Sequence, residues 1–201
     1  TSIAEAGDIT TTADGGTVVI GANRNGAIDT AGEIDLTGLT TAGAGIRFAR
    51  PVTLTGNVTL STGAGVGDID FDDAATIDDG TGGPFDLSIS AGTGDLTFGD
   101  AAGAANGRIG GASGANRIGA LTVNSANATT FFGEVFVTTL DQTSGDADTT
   151  FDGAVSTSGA SSVATNGEIA VQANVTTGGT LTLESDEDGN GTGDITVSDA
   201  V

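Results

Sequence analysis

The sequence predicts an all-β chain, a parallel β-helix of about eight coils, with β-sandwich repeats as the alternative. Three observations lead there. The first is recurrence. Val58-Thr-Leu-Ser-Thr-Gly-Ala-Gly-Val-Gly-Asp68-Ile-Asp-Phe71 returns as Leu87-Ser-Ile-Ser-Ala-Gly-Thr-Gly-Asp95-Leu-Thr-Phe98. A third copy runs from Leu181-Thr-Leu-Glu184 to Gly193-Asp194-Ile-Thr-Val197. Each copy joins two short alternating segments through a turn ending in Gly-Asp, the mark of a repeat architecture. The second is spacing. A Gly-acid-Ile step stands at Gly7, Gly32, Gly67, Gly167 and Gly193, with Gly-Asp-Leu at Gly94. Gly7 to Gly32 is 25 residues, Gly32 to Gly56 is 24, Gly67 to Gly94 is 27 and Gly167 to Gly193 is 26. A period of that length, holding two or three short strands, suits one coil of a solenoid whose coils stack at about 4.8 Å. The third is composition. Thirty-five Gly, abundant Thr and acids that are mostly Asp disfavour helix and favour strands and turns.

Taken in order, the strands expected are Thr17–Ile20, Glu33–Leu36, Ile46–Phe48, Val52–Leu54, Asn57–Leu60 and Asp68–Phe71. They continue as Asp86–Ile89, Asp95–Phe98, Ala120–Val123, Thr130–Leu140, Glu168–Val171, Thr180–Leu183 and Asp194–Val197. In each, apolar residues alternate with Thr, Ser or Asp, the pattern of a strand with one buried face. Asp-Gly at 14–15, 79–80, 152–153 and 188–189, and Asn-Gly at 25–26, 106–107, 166–167 and 190–191, mark the turns. In a sandwich these would close hairpins. In a β-helix they are corners.

The stretch Thr129–Leu140 is the most apolar window, echoed at Thr149–Thr157 with an offset of 20 residues, a shorter coil. Alternation sends Phe131 and Phe132 to opposite faces, so one of them is exposed or lies under a loop. Gly103–Asn116, rich in Gly and Ala, reads as a surface loop between coils. No domain boundary is visible in residues 1–201, which read as one β-helical segment. Neither end carries an obvious cap, so the segment is expected to belong to a longer solenoid or to stack end to end.

The chain carries 27 acids against 5 Arg, a net charge of −22. Self-repulsion on that scale argues against a nucleic-acid or anionic-membrane partner and favours cations. No run approaches the 18 or so apolar residues that span a bilayer, so no membrane insertion is expected. His, Lys, Cys, Met, Trp and Tyr are all absent. Imidazole bases, Schiff bases, thiol nucleophiles and zinc-thiolate sites are therefore excluded. Paired carboxylates could still serve a polysaccharide-active enzyme, but no Lys, His, Tyr or Trp stands by to grip sugar. The chain is read as non-enzymatic, with no catalytic residues.

Two acidic clusters remain as metal candidates. Asp186, Asp188, Asn190 and Asp194 place oxygen ligands at positions 1, 3, 5 and 9 of an EF-hand-like loop, with Gly191 at position 6. Val197 stands where a bidentate Glu would close the site. Calcium is the expected ion. Asp68, Asp70 and Asp72 lie on one face of a strand, about 7 Å apart, a row that repels itself unless cations screen it. Sequons stand at Asn57, Asn127, Asn174 and Asn190.

From about Asp86 to Val201 the chain resembles the β-strand repeats of giant bacterial surface proteins, the filamentous-haemagglutinin-like and autotransporter-passenger-like β-helices. The resemblance rests on Leu87–Phe98, Ile118-Gly-Ala-Leu-Thr-Val-Asn-Ser125 and Thr149-Thr-Phe-Asp-Gly-Ala-Val155. It implies secretion, a right-handed parallel β-helix and an extracellular or cell-surface role as stalk, adhesin shaft or filament subunit. It implies self-association or a cell-surface or glycan partner. A calcium-dependent surface-layer or matrix module is the alternative role.

Overall fold

The computed structural model describes the backbone of residues 4–5, 9–11, 18–20, 28–30 and 33–36, together with residues 45–49, 51–80, 82–101, 103, 106–111 and 116–198. The expected turns at 14–15 and 25–26, the Gly7 and Gly32 steps, Thr17, Arg24 and Arg50 lie outside the described residues.

In chain order the strands are β1 (Ala4–Glu5), β2 (Ile9–Thr11), β3 (Val18–Ile20), β4 (Ile28–Thr30), β5 (Glu33–Leu36), β6 (Ile46–Phe48), β7 (Val52–Leu54) and β8 (Val58–Ser61). Next come β9 (Ile69–Phe71), β10 (Ile77–Asp79), β11 (Leu87–Ser90), β12 (Leu96–Phe98), β13 (Ile118–Ser125), β14 (Thr129–Phe131) and β15 (Val135–Gln142). The last are β16 (Thr149–Phe151), β17 (Val155–Thr157), β18 (Ser161–Thr165), β19 (Ile169–Val171), β20 (Val175–Thr177), β21 (Leu181–Ser185) and β22 (Ile195–Val197). Among the described residues there is no helix, and so none long and apolar enough to cross a membrane.

Successive strands do not pair with one another. Up to β9 and from β16 to β19 each pairs with the strand three places on, several between β11 and β17 pair two places on, and every named pairing is parallel. Three stacked sheets result. The first runs β1-β4-β7-β10 and the third runs from β3 through β6, β9, β12, β14, β16 and β19 to β22. The second holds β2, β5, β8, β11, β13 and β15, with β17, β18, β20 and β21 joined through β15. We call one pass through the three sheets a tier. Hairpin-built sandwich repeats would pair antiparallel. Here the Asp79-Gly80, Asp152-Gly153 and Asp188-Gly189 turns lead from one sheet to the next.

Parallel, in-register pairing sets the same position of each tier on top of the last. Ile46, Ile69 and Leu96 follow one another on the third sheet, and Val135, Val155 and Val175 line up on adjacent strands. The clearest column is aromatic. Phe48, Phe71, Phe98, Phe131 and Phe151 stack with centroids 4.7, 4.8, 5.0 and 5.0 Å apart and planes within 12°. Those spacings equal the distance between paired strands, so one stack gauges the rise of five tiers. Ile20 pairs before Phe48 and Val171 after Phe151. The core is the space between the sheets, filled by these side chains and by Leu54, Leu60, Ile77, Ile89, Ile109 and Leu121, all buried.

Two expectations need correction. Thr130–Leu140 is not one strand: β14 ends at Phe131 on the third sheet and β15 starts at Val135. Within β15 the burial alternation slips at Thr138–Thr139, where the strand leaves its partners Val155–Thr157 and takes up Ser162 and Val163. A strand that rounds a corner must change which parity faces inward. Gly103–Asn116 is not only a surface loop, either. Ile109 is fully buried and bridges Ile77 to Val135, standing in for a strand of the first sheet. Residues 104–105 and 112–115 of this stretch lie outside the described residues. Phe131 is in the stack and Phe132 is half-buried, its Cβ facing Gly99 just after strand β12.

Corner glycines exist because tiers touch there. A Cβ on Gly153 would overlap Gly133 O, and one on Gly133 would overlap Asn106 O, so three tiers close on backbone alone. Gly153→Ala is expected to cost about 1–3 kcal/mol by overpacking, and Phe98→Ala about 3–5 kcal/mol through the void left in the stack. Urea unfolding measures both. A neutral Gly153→Ala would show that the tiers are not in contact at this corner.

Candidate functional site

The acidic residues that composition makes conspicuous collect at the corners, and there they bond between tiers. Asp68 Oδ1 accepts Asp95 N–H at 2.9 Å, and Asp95 Oδ1 accepts Ala128 N–H at 3.2 Å and Asn127 Nδ2 at 2.8 Å. Asp148 Oδ1 accepts Glu168 N–H at 2.9 Å. A second corner does the same: Asn57 Oδ1 accepts Asp86 N–H at 3.0 Å and Asp86 Oδ1 accepts Ala120 N–H at 2.7 Å. At a third, Asp73 Oδ1 accepts Asp100 N–H at 2.8 Å. A corner residue cannot continue a sheet ladder, so its N–H needs another acceptor. A short acceptor side chain one tier below supplies it, much as Asp or Asn caps a helix. The Gly-Asp step therefore divides its work: Gly lets the backbones approach and Asp ties the next tier down.

The Asp68, Asp70, Asp72 row is present, outward of buried Ile69 and Phe71. Its screening charge is internal. Arg47, which pairs with Asp70 across strands β6 and β9, grips Asp72 with two bonds of 2.7 Å and lies 3.7 Å from Asp70. Asp68 is taken up by Asp95 N–H. Burial, reinforced by the Asp72 charge, raises the Asp70 carboxyl above its ordinary range, with Arg47 opposing. The backbone N–H of Asp100 holds Asp73 low, and the hydrogen bond and charge of Asp73 push Asp100 up.

Asp186, Asp188 and Asn190 share the loop between β21 and β22, and Asp194 closes it. Asp186 takes a left-handed conformation (φ 63°) and its Oδ1 accepts Gly191 N–H at 2.8 Å. Both Asp188 oxygens accept from Asn190, from its N–H at 3.1 Å and its Nδ2 at 2.8 Å. Asn190 Oδ1 accepts Thr192 N–H at 3.0 Å and the Thr192 hydroxyl. Every one of these bonds lies within the loop. Among the described residues no three acidic side chains come together as a metal-holding group.

Two residues that sequence reasoning passed over matter to the architecture. Arg117 donates to Val137 O at 2.7 Å and to Ser156 O and Oγ, and its guanidinium stands 6.0 Å from the Phe136 ring. One cation thereby binds carbonyls from two further tiers. Gln142 is buried in the column between Val123 and Val163. Its Nε2 donates to Thr149 Oγ1 at 2.7 Å and to Ala164 O at 3.1 Å. Continued from Val135 and Val137, the alternation points Gln142 outward, and only the slip at Thr138–Thr139 turns it in; nothing local distinguishes Arg117.

Neither a scan against protein-family models nor searches of curated proteins and solved structures found a match.

Asp148→Ala leaves Glu168 N–H without its acceptor and is expected to cost about 1 kcal/mol, while Asp148→Asn, which keeps an acceptor oxygen, costs less. Equal urea midpoints for the two variants would contradict the corner bond. Asp70→Asn tests the row. A carboxyl raised in the fold from its ordinary 3.8 weakens the fold when ionised, and the penalty is released as pH falls through the raised value. The variant should therefore be more stable than the parent at about pH 7, by less than about 1 kcal/mol because the site is half in solvent. The gap should close once both carboxyls are protonated, near pH 3. A gap that widens in acid would reverse the assigned direction.

Proposed function

We propose that the chain is a right-handed parallel β-helix of eight coils with a mechanical role: a non-enzymatic, extracellular stalk, adhesin shaft or filament subunit. Residues 1–201 are one segment of that shaft. The observation that carries this reading is the unbroken column of five phenylalanines inside three parallel sheets. In such a stack the strand-to-strand hydrogen bonds run along the rod, so axial load is spread over three ladders at once. The side-chain chemistry suits this role. Without His, Lys, Cys, Tyr or Trp, the chain offers carboxylates, hydroxyls and guanidiniums, and among the described residues Asp68, Asp148, Arg47 and Arg117 serve as ties between tiers. The resemblance to filamentous-haemagglutinin-like and autotransporter-passenger-like repeats points to the same cell-surface role.

Assembly follows from the last tier. One tier in, Val163 and Ile169 are buried, whereas Ile195 and Val197 are 46% and 68% exposed beside half-buried Val175, Leu181 and Leu183. Val175, Leu181, Leu183 and Val197 border a depression of about 340 Å³. The outer edges of β20, β21 and β22 have no partner among the described residues. We infer that a further coil, from the same polypeptide or a second copy stacked end to end, covers this face. With a net charge of −22, such stacking would be helped by divalent cations, and calcium is the ion proposed.

Electron microscopy with calcium and with a chelator tests this. Rods about 40 Å long, the length of eight rises, that join end to end in calcium and separate in chelator are expected. Round particles under both conditions would overturn the shaft. Single short rods under both would keep the shaft and overturn the assembly.

A further inference from the structure

We propose that Asn190 is a site of spontaneous backbone-assisted deamidation, set apart from the chain's other Asn-Gly pairs by the fold. In this reaction the N of the following Gly attacks the Asn side-chain Cγ. An N–Cγ bond forms, the Cγ–Nδ2 bond breaks and ammonia leaves. Water then opens the cyclic imide to aspartate or isoaspartate. The step needs room for the backbone to turn, a route for the amide proton, and donors on the oxygen that gains charge.

Three Asn-Gly pairs lie among the described residues, and two are blocked. A Cβ on Gly107 would overlap Gly99 N and Phe98, its N–H is bonded to Asp73 O at 3.0 Å, and Asn106 Nδ2 donates to Ala101 O at 3.1 Å. Gly167 is pressed against Ala147 and Asp148 of the tier below, and Asn166 N–H is bonded to Gly145 O at 2.8 Å. Rotation at either pair would have to open a tier contact.

Asn190-Gly191 differs in where its bonds run: Asn190 N–H and Nδ2 donate to Asp188 at 3.1 and 2.8 Å, within its own loop, so turning there opens no tier contact. Both residues are exposed, and the space where a Gly191 Cβ would lie has no neighbour within 4 Å. The attacking group, Gly191 N–H, already points to Asp186 Oδ1 at 2.8 Å, which can receive its proton and pass it to the departing ammonia. Asn190 Oδ1, where negative charge develops, accepts both Thr192 N–H at 3.0 Å and the Thr192 hydroxyl. Donors already aimed at developing charge are the arrangement that lowers such barriers. The product adds one carboxylate to a loop that holds Asp186, Glu187, Asp188 and Asp194, and isoaspartate also lengthens its backbone.

The test is incubation of the folded 201-residue chain at neutral pH and elevated temperature below its melting point. Peptic peptide mapping by mass spectrometry then follows Asn106, Asn166 and Asn190. Asn190 is expected to convert at least about tenfold faster than the other two in the folded chain, and at a similar rate to them in urea. Thr192→Val, which removes one donor, should slow Asn190 several-fold in the folded chain and little in urea. Circular dichroism before and after confirms that the variant is folded. Equal rates at the three sites in the folded chain, the same ranking in urea, or an unchanged rate in folded Thr192→Val would each overturn the proposal.

Discussion

Each tier must fit the one beneath it at the spacing of paired parallel strands, and most other features of the structure answer to that constraint. The phenylalanine column shows it most directly, because rings that stack nearly flat at 4.7–5.0 Å leave no slack for a tier to slide or tilt. A ring pair at that separation adds about 0.5–1.5 kcal/mol beyond its burial. The greater effect is registration: a one-residue slip in any strand would turn its inward residues outward. Flanking columns of Ile, Leu and Val repeat the same constraint on all three sheets.

The corners are where a stack of this kind is most exposed to failure, since backbone there leaves its ladder without entering another. Two residue types solve opposite halves of the problem. Glycine removes the side chain that would hold tiers apart, as at Gly153 over Gly133. Aspartate or asparagine supplies the missing acceptor, as Asp86 Oδ1 does for Ala120 N–H. The acidity of the chain is thus partly structural. Arg47 between Asp70 and Asp72, and Arg117 across two further tiers, show where the few cations are spent.

Much of this was legible before any coordinates. Alternation located Ile46–Phe48, Val52–Leu54 and Leu96–Phe98, because each has large apolar residues at both inward positions. The short strands Ile77–Asp79, Val155–Thr157, Ser161–Thr165 and Val175–Thr177 were not singled out, since Thr, Ser or Asp fills inward or terminal places and only the tier below defines them as strands. The Gly-acid step gave a period that only some tiers keep, since the stacked Phe48, Phe71, Phe98, Phe131 and Phe151 stand 23, 27, 33 and 20 residues apart. Gly56 precedes a strand of the second sheet and Gly67 one of the third. The step marks two different corners, and its intervals belong to two interleaved series. In Gly103–Asn116 a single buried Ile109 in a run of Gly and Ala carries no period to detect. The Asp186–Asp194 loop was recognised by composition, but how its oxygens are used depends on backbone turns that composition does not determine.

The column itself is the place to test the account. With only eight Phe in the chain, ring-labelled protein can be examined by nuclear Overhauser spectroscopy. Stacked tiers predict ring-to-ring contacts in strict order, Phe48 with Phe71, Phe71 with Phe98, Phe98 with Phe131 and Phe131 with Phe151, and none that skip a tier. Absence of the Phe98–Phe131 contact, or contacts joining rings out of order, would contradict the stacked arrangement on which the rest depends.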